Sequence, residues 1–138
     1  MITYNFHISN TPYAKAIRLY SKYSHVSIEA GDYVYEALVK GGVVKTHKLG
    51  WKSETVFKTV SLDNLSENEV IKFLDAQVGK KYDILGVLSF IWRFLPNRIG
   101  AWYCSELAMV SLVKGLGVKE FNQKETPEGF YYITQYVK

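Results

Sequence analysis

The chain has 138 residues with a formal net charge of +4, and it is 48% hydrophobic, 22% charged and 15% aromatic. This composition excludes a disordered or fibrous protein and predicts a single domain over residues 1–138. Lys and Arg are scattered, the longest basic run being Lys80-Lys81, and no nucleic-acid-binding motif accompanies them. We therefore expect no nucleic-acid partner.

The sequence has no segment typical of a signal peptide or a membrane span. Residues 1–5 lack the basic start and apolar run of a secretory signal. The most apolar stretch, residues 84–95, is interrupted by Arg93 and is too short to cross a bilayer. We expect a cytoplasmic protein by default, since export by another route would leave no such signature. Membrane contact is an alternative that we do not favour.

The N-terminal half alternates apolar and polar residues as half-buried strands do. We predict strands over residues 2–8, 25–30, 33–39, 43–49 and 55–62, and a helical or loop segment from Pro12 to about Lys22. Gly31-Asp32 separates the second strand from the third, and a two-residue link that begins with Gly favours a type II′ hairpin.

After residue 62 the spacing of apolar residues becomes helical. Ser66 and Glu69 have the spacing of a capping box, and Gly79 is expected to end the helix that follows. Further segments are predicted as a helix from Asp83 to about Leu95, a helix from about Cys104 to Gly115 or Gly117, and a strand over residues 130–137. The predicted fold class is α+β, an antiparallel sheet of about four or five strands with packed helices.

The hairpin at Gly31-Asp32 brings a histidine near a carboxylate. A two-residue turn pairs Ser27 with Glu36, and alternate side chains of each strand share one face. His25 and Glu36 are then diagonal neighbours, with about 7–8 Å between their backbones. Because a carboxylate beside an imidazole fixes its tautomer and stabilises the imidazolium, we predict His25 as a general base oriented by Glu36.

Cys104 is the only cysteine and is predicted at the start of a helix. A helix N-terminus and a nearby imidazolium favour the thiolate form of a cysteine, which is the nucleophile of acyl transfer. Backbone N–H groups at the same position are natural donors to an oxyanion. The residues behind Cys104 at helical spacing are small, which would let the helix lie close to the sheet: Ala108, Ser111 and Gly115. We predict Cys104 as a nucleophile served by His25.

Each of these residues also has a structural interpretation. A lone cysteine is commonly a buried small hydrophobe, and a lone histidine is more often structural than catalytic. Glu29 and His47 are alternatives to Glu36 as the group that orients His25. A zinc site has no ligand spacing to support it, and we predict no metal site among the residues of suitable type: His7, His25, His47 and Cys104.

Three stretches resemble the circularly permuted branch of the NlpC-type papain-like hydrolases, a branch that includes relatives of lecithin:retinol acyltransferase. They are residues 24–28 with Gly31-Asp32 and Glu36, residues 79–83 with Gly86, and residues 102–107. The His-bearing hairpin precedes the Cys-bearing helix, as in the permuted members. The resemblance spans roughly residues 24 to 112.

This resemblance implies a permuted papain-like core with Cys104 as nucleophile, His25 as base and Glu36 in the third polar position. Further residues are candidates for the substrate groove or for support of the site: Tyr82, Asp83, Tyr103 and Glu106. The implied activity is that of a cysteine amidase or peptidase that works through an acyl-enzyme on a cell-wall-type peptide, without a cofactor. The alternatives are a lipid-directed acyl hydrolase or acyltransferase, and a non-catalytic binding protein that retains the fold, such as a phage or host-interaction protein.

Overall fold

An antiparallel sheet of five strands forms the centre of the fold. The computed structural model describes residues 1–89, 100–119 and 125–138. The strands are β1 (Ile2–His7), β2 (His25–Ala30), β3 (Tyr33–Leu38), β4 (Gly42–His47) and β5 (Val56–Leu62), in the order β4-β3-β2-β1-β5. Every neighbouring pair is antiparallel. The predicted α+β class and antiparallel sheet are confirmed.

The hairpin between β2 and β3 has the predicted register. Ser27 pairs with Glu36, and Ala30 pairs with Tyr33 across the turn. Gly31 has a φ of 56°, the left-handed conformation that the first turn position of a type II′ hairpin requires and that glycine adopts without a steric penalty. This register places His25 and Glu36 on the same face of the sheet.

Five helices and a second, very small sheet complete the described fold. The helices are α1 (Pro12–Arg18), α2 (Glu67–Gln77), α3 (Ile84–Leu88), α4 (Cys104–Leu116) and α5 (Pro127–Val137). Two two-residue strands, β6 (Lys81–Tyr82) and β7 (Ala101–Trp102), pair in parallel. Among the described helices, none combines the length and apolar character that crossing a bilayer requires.

The prediction of a C-terminal strand over residues 130–137 is wrong, because that segment belongs to α5. Pro127 occupies the first turn, and the Thr126 side chain caps the helix by accepting a hydrogen bond from the Gly129 amide. Phe130 and Thr134, one helical turn apart, are both fully buried. Start signals and helical burial therefore outweigh the strand propensity of the Tyr and Ile residues.

Three predicted helix boundaries need adjustment. The first helix ends at Arg18, short of the predicted Lys22. Ser66 is the N-cap of α2, but its side chain makes no capping hydrogen bond, and the helix ends at Gln77. The helix predicted from residue 83 to 95 begins at Ile84 and is described to Leu88; residues 90–99 lie outside the described residues.

Small residues let α4 pack closely against its neighbours, as predicted. Ala108 and Ser111 are fully buried, and Ser111 Oγ lies 3.0 Å from the Tyr4 hydroxyl on β1. At Gly115 a Cβ would lie 2.8 Å from Val70 Cγ2 of α2, so only glycine fits without a shift of α2. This close packing fixes the start of α4, and hence Cys104, against the sheet.

Candidate active site

His25 and Glu36 form a hydrogen-bonded ion pair on adjacent strands. His25 Nε2 donates to Glu36 Oε1 at 3.1 Å, and the side chains are only 21% and 13% exposed. The pair follows directly from the hairpin register, since Glu36 lies opposite Ser27, two residues from His25. The structure thus brings together the two residues that the sequence predicted as neighbours.

A second donor holds the other oxygen of the carboxylate. Trp51, in the segment after β4, donates from Nε1 to Glu36 Oε2 at 3.0 Å. Burial by itself raises the pKa of the Glu36 carboxyl, but the hydrogen bond and charge of His25 and the Trp51 donor outweigh burial and lower the pKa below its ordinary value. Glu36 is therefore a carboxylate with both oxygens bonded, and its position is fixed from two sides.

Cys104 interacts with the same histidine. Burial by itself lowers the pKa of His25, but side-chain hydrogen bonds with Cys104 and Glu36, and the negative charges of both groups, raise it to about 9. Nε2 is bonded to Glu36. The same imidazole is therefore bonded to a carboxylate and has its pKa raised by Cys104, and these are the three groups that acid–base catalysis through a cysteine uses.

Cys104 is the first residue of α4, and its side chain is buried. Tyr103 is the N-cap in an extended conformation, and the amide of Leu107 makes the first hydrogen bond of the helix with the Tyr103 carbonyl at 3.0 Å. The first N–H groups of an α-helix precede its first intrahelical hydrogen bond. Donors in that position are of the kind that stabilise a developing oxyanion, and Cys104 lies at such a position.

His7 supports this arrangement from β1, where it pairs with His25. Its ring centroid lies 5.0 Å from that of His25. His7 Nε2 is hydrogen-bonded with Ser27 Oγ at 2.9 Å and Nδ1 with Thr55 Oγ1 at 3.0 Å. Burial and the positive charge of His25 lower the pKa of His7 to about 3, so His7 is a neutral, fully hydrogen-bonded imidazole behind the catalytic candidates.

One group of described residues has the composition of a metal site. His7, His25 and Glu36 each offer a ligand atom, and these atoms lie within 4.8 Å of one another. Both nitrogens of His7 are hydrogen-bonded to hydroxyl groups, and His25 Nε2 is bonded to Glu36. A metal ion would have to replace these bonds, so the geometry fits a hydrogen-bonded network better than a ligand set. The group also differs from the zinc set considered from the sequence, which contained Cys104 and His47.

Glu29 and His47, the alternatives to Glu36, have other partners. Glu29 accepts a hydrogen bond from Asn5 Nδ2 at 2.6 Å and forms an ion pair with Lys48 at 3.3 Å. His47 is exposed at the end of β4, where its Nδ1 accepts from the amide of Leu49. Glu36 is thus the carboxylate that contacts His25.

Two of the four further candidates line the cavities beside the pair. Tyr82, on β6, lines a cleft together with His25 and Glu36, and its hydroxyl accepts a hydrogen bond from Tyr13 at 3.2 Å. Tyr103 lines a separate pocket together with Cys104.

The other two candidates lie at helix starts. Asp83 is fully buried and caps α3 by accepting a hydrogen bond from the Gly86 amide at 2.8 Å, which is a structural role. Glu106 is half-buried in the first turn of α4, where a carboxylate complements the helix dipole.

Three residues contribute to the site without having been predicted from the sequence: Trp51, Tyr13 and His7. Trp51 lies in a loop, and no spacing or motif connects it with Glu36. Tyr13 lies on α1, whose position over the sheet depends on packing between distant segments. A signal existed for His7, since pairing β1 with β2 places it opposite His25, but that strand order had not been predicted.

Comparisons with protein-family profiles, with curated protein sequences and with solved structures return no match for this chain. Any inference about function therefore depends on the fold and the site residues of this chain alone. The relationship to the permuted papain-like hydrolases stays a prediction.

Proposed function

We propose that the protein is a cysteine hydrolase that cleaves an amide or ester bond through an acyl-enzyme on Cys104. The observation that carries this proposal is the position of His25, which donates to Glu36 at 3.1 Å and whose pKa is raised by both Glu36 and Cys104. A buried cysteine of purely structural function needs no imidazole, and a structural imidazole needs no nucleophile beside it. The hairpin and helix order are those of the permuted papain-like class, to which we assign the chain as part of this proposal.

The first half of the reaction acylates the sulfur. The Cys104 thiolate attacks the carbonyl carbon of the substrate, a C–S bond forms, and the carbonyl π electrons move to oxygen near the start of α4. When the tetrahedral intermediate collapses, the bond to the leaving group breaks and takes its electron pair along. The His25 imidazolium gives its proton to that amine or alcohol. A thioester and a neutral imidazole remain.

The second half returns the enzyme to its starting state. Neutral His25 takes a proton from water as the water oxygen attacks the thioester carbon. The C–S bond then breaks, its electron pair returns to sulfur, and a carboxylic acid leaves. Glu36 stabilises the imidazolium at both ends of the cycle without accepting its proton, because the pKa of its carboxyl is low.

Alkylation of the thiol tests the central pair. Iodoacetamide should modify Cys104 at pH 7 far faster than it modifies a model thiol such as glutathione, and His25→Ala should remove most of that advantage. Equal alkylation rates in the wild type and His25→Ala would contradict the proposed pair. Circular dichroism of the variant controls for folding.

Turnover tests the reaction itself. With p-nitrophenyl acetate, the wild type should release p-nitrophenol catalytically, and Cys104→Ala should reduce the rate to that of the buffer. Addition of EDTA should leave the rate unchanged, whereas a metal hydrolase built on His7, His25 and Glu36 would lose activity. A fully folded wild type that labels no faster than glutathione and shows no turnover would favour the non-catalytic binding protein.

The substrate follows from the same site. A cell-wall-type peptide and a lipid are the two classes that the resemblance implies. The pocket that Cys104 and Tyr103 line is formed mostly by apolar and aromatic side chains, which favours an apolar acyl group over a peptide. We also propose a cytoplasmic location, as expected from the sequence.

A further inference from the structure

Cys104 lies in the wall of a pocket formed by α1, α3 and the starts of α4 and α5. The pocket contains about 580 Å³ of empty space, part of which is open to solvent. Besides Cys104, its lining includes mostly apolar or aromatic side chains, among them Ile17, Tyr20, Val87, Leu88, Tyr103 and Pro127. We call this cavity the apolar pocket.

Three of the polar groups that border the apolar pocket are hydrogen-bonded within the protein. Ser105 Oγ donates to the Glu125 carbonyl at 2.6 Å, and Thr126 Oγ1 accepts from the Gly129 amide at 3.0 Å. The Tyr13 hydroxyl donates to that of Tyr82. Nearly all of the surface exposed inside the pocket belongs to apolar atoms. A polar group that entered the pocket would lose its hydrogen bonds with water without replacing them. The pocket therefore favours an apolar part of a ligand.

A second cavity, which we call the polar cleft, lies on the imidazole side of the pair. Apolar side chains such as Leu38 and Val39 line part of it, but it has a larger polar share than the apolar pocket. The polar share of its lining comes from His25, Glu36, Ser53 and Thr55, together with Ser9, Thr11 and Ser24. Tyr13 lines both the polar cleft and the apolar pocket, so the two cavities adjoin. Cys104 lines the apolar pocket, and His25 lines the polar cleft.

We propose that the apolar pocket holds the acyl chain of the substrate and that the polar cleft holds its leaving group. The substrate class is then an ester or thioester of an aliphatic acid with a polar alcohol or thiol. This inference rests on the proposed function and uses the same steps. The acyl chain becomes part of the thioester on Cys104, and the leaving group receives its proton from His25, on the side where polar groups can bind it.

Chain length should control the rate. Each methylene that enters an apolar pocket contributes about 0.8 kcal/mol, which is roughly a fourfold gain in binding. From p-nitrophenyl acetate to the butanoate and octanoate, kcat/KM relative to buffer hydrolysis should rise in total by about 10- to 100-fold, since the far end of the longest chain reaches solvent. Ester concentrations must stay below micelle formation.

Ile17→Asp provides the matched variant. Ile17 is half-buried in the pocket lining, and a carboxylate there would oppose an alkyl chain. Leu19→Asp is the control, because Leu19 is 77% exposed at the end of the same helix and is not among the lining residues. Both changes place a negative charge near the C-terminus of α1, so they share any effect on that helix. We expect Ile17→Asp to abolish the preference for octanoate and Leu19→Asp to keep it.

Chloroacetamides with ethyl or octyl N-substituents test the apolar pocket without requiring turnover. The measured quantity is the rate at which each reagent alkylates Cys104. The octyl reagent should react at least tenfold faster with the wild type and Leu19→Asp, but not with Ile17→Asp. Turnover of the acetate ester without any chain-length effect would overturn this inference and leave the proposed function intact. A chain-length effect in alkylation without ester turnover would support binding of alkyl chains in the apolar pocket and would contradict the proposed hydrolase function. An equal octyl preference in wild type and Ile17→Asp would overturn the assignment of this pocket.

Discussion

The ring centroids of His7 and His25 lie 5.0 Å apart. Their pKa values are nevertheless shifted in opposite directions from that of an ordinary histidine. The pKa of His7 is lowered to about 3 because the ring is buried and faces the charge of His25. That of His25 is raised to about 9, since bonds and charges from Cys104 and Glu36 outweigh the effect of burial. The two adjacent histidines therefore have different protonation states: His25 carries the proton, and His7 packs beside it as a neutral imidazole.

The loss of activity at high pH should follow the deprotonation of His25. The acylation step needs the imidazolium, so activity should fall as the pH rises through about 9. Glu36→Gln removes one of the charges that hold this proton, and the alkaline limb should move down by on the order of one pH unit, with a lower maximum rate. The pH profile of kcat/KM with an unactivated alkyl ester such as ethyl butanoate, whose alcohol must be protonated as it leaves, measures both effects.

Glu29→Gln is the control for that measurement, since Glu29 lies on the same strand as His25 but bonds to Asn5 and Lys48. Its alkaline limb should match that of the wild type. An unmoved limb in Glu36→Gln, or equal shifts in the two variants, would contradict the assignment of Glu36 as the orienting carboxylate.

His7 should make the fold sensitive to acid. The pKa of His7 is about 3 in the folded protein and ordinary, near 6.5, in the unfolded chain. Below pH 6.5 the unfolded state binds the additional proton, so the free energy of unfolding should decrease as the pH falls, by on the order of 2 kcal/mol between pH 6.5 and 4.5. Urea unfolding at several pH values measures this slope.

His7→Gln removes the titrating group, so its unfolding free energy should depend less steeply on pH over that range, whatever its level at pH 7. The slope is the relevant quantity, because a substitution at a buried residue lowers stability for other reasons too. An identical slope in both proteins would show that His7 is not the group that takes up the proton.

Trp51→Phe should act on catalysis through Glu36. The change removes the donor at 3.0 Å from Glu36 Oε2 and keeps an aromatic ring. The carboxylate then loses a hydrogen bond to a charged group, which is typically worth about 1.5–3 kcal/mol, and we expect kcat/KM to fall roughly tenfold or more. The alkaline limb should shift as well, because the position of Glu36 influences the pKa of His25.

A structural role of Trp51 alone would lower stability without moving that limb. Trp102→Phe is a suitable comparison, since Trp102 Nε1 donates to Gln77 Oε1 at 3.0 Å rather than to the site. Its pH profile should be that of the wild type.

Local signals in the sequence predicted the parts of the site that depend on neighbours along the chain. The two-residue turn at Gly31-Asp32 sets the register, and that register alone brings His25 to Glu36. The helix predicted from about Cys104 likewise begins at that residue. Both inferences need only the geometry of one hairpin and one helix.

Other parts depend on how distant segments pack, which a single sequence does not specify. His7 reaches His25 because β1 lies between β2 and β5, an order that no turn in the chain fixes. Trp51 reaches Glu36 from a loop. The C-terminal helix was mistaken for a strand because its Tyr and Ile residues favour strands, whereas burial of Phe130 and Thr134 favours a helix.

Gly115→Ala should lower stability and activity together. In an open helix position, Gly→Ala is stabilising by about 1 kcal/mol. At Gly115 the new methyl would lie 2.8 Å from Val70 Cγ2 and 3.1 Å from Leu65 Cβ, and an atom next to the backbone cannot move aside. Overpacking of this kind costs about 1–3 kcal/mol, so we expect a net loss of up to roughly 2 kcal/mol.

The same substitution displaces α4, whose first residue is Cys104, so the rate of Cys104 alkylation should fall as well. Gly50→Ala is the control: its Cβ would make an ordinary contact, 3.7 Å from the His47 carbonyl oxygen, and should leave both quantities near the wild-type values. Urea unfolding and iodoacetamide labelling measure the two effects. If Gly115→Ala were as stable and as reactive as Gly50→Ala, close packing of α4 would not be what holds the sulfur at His25.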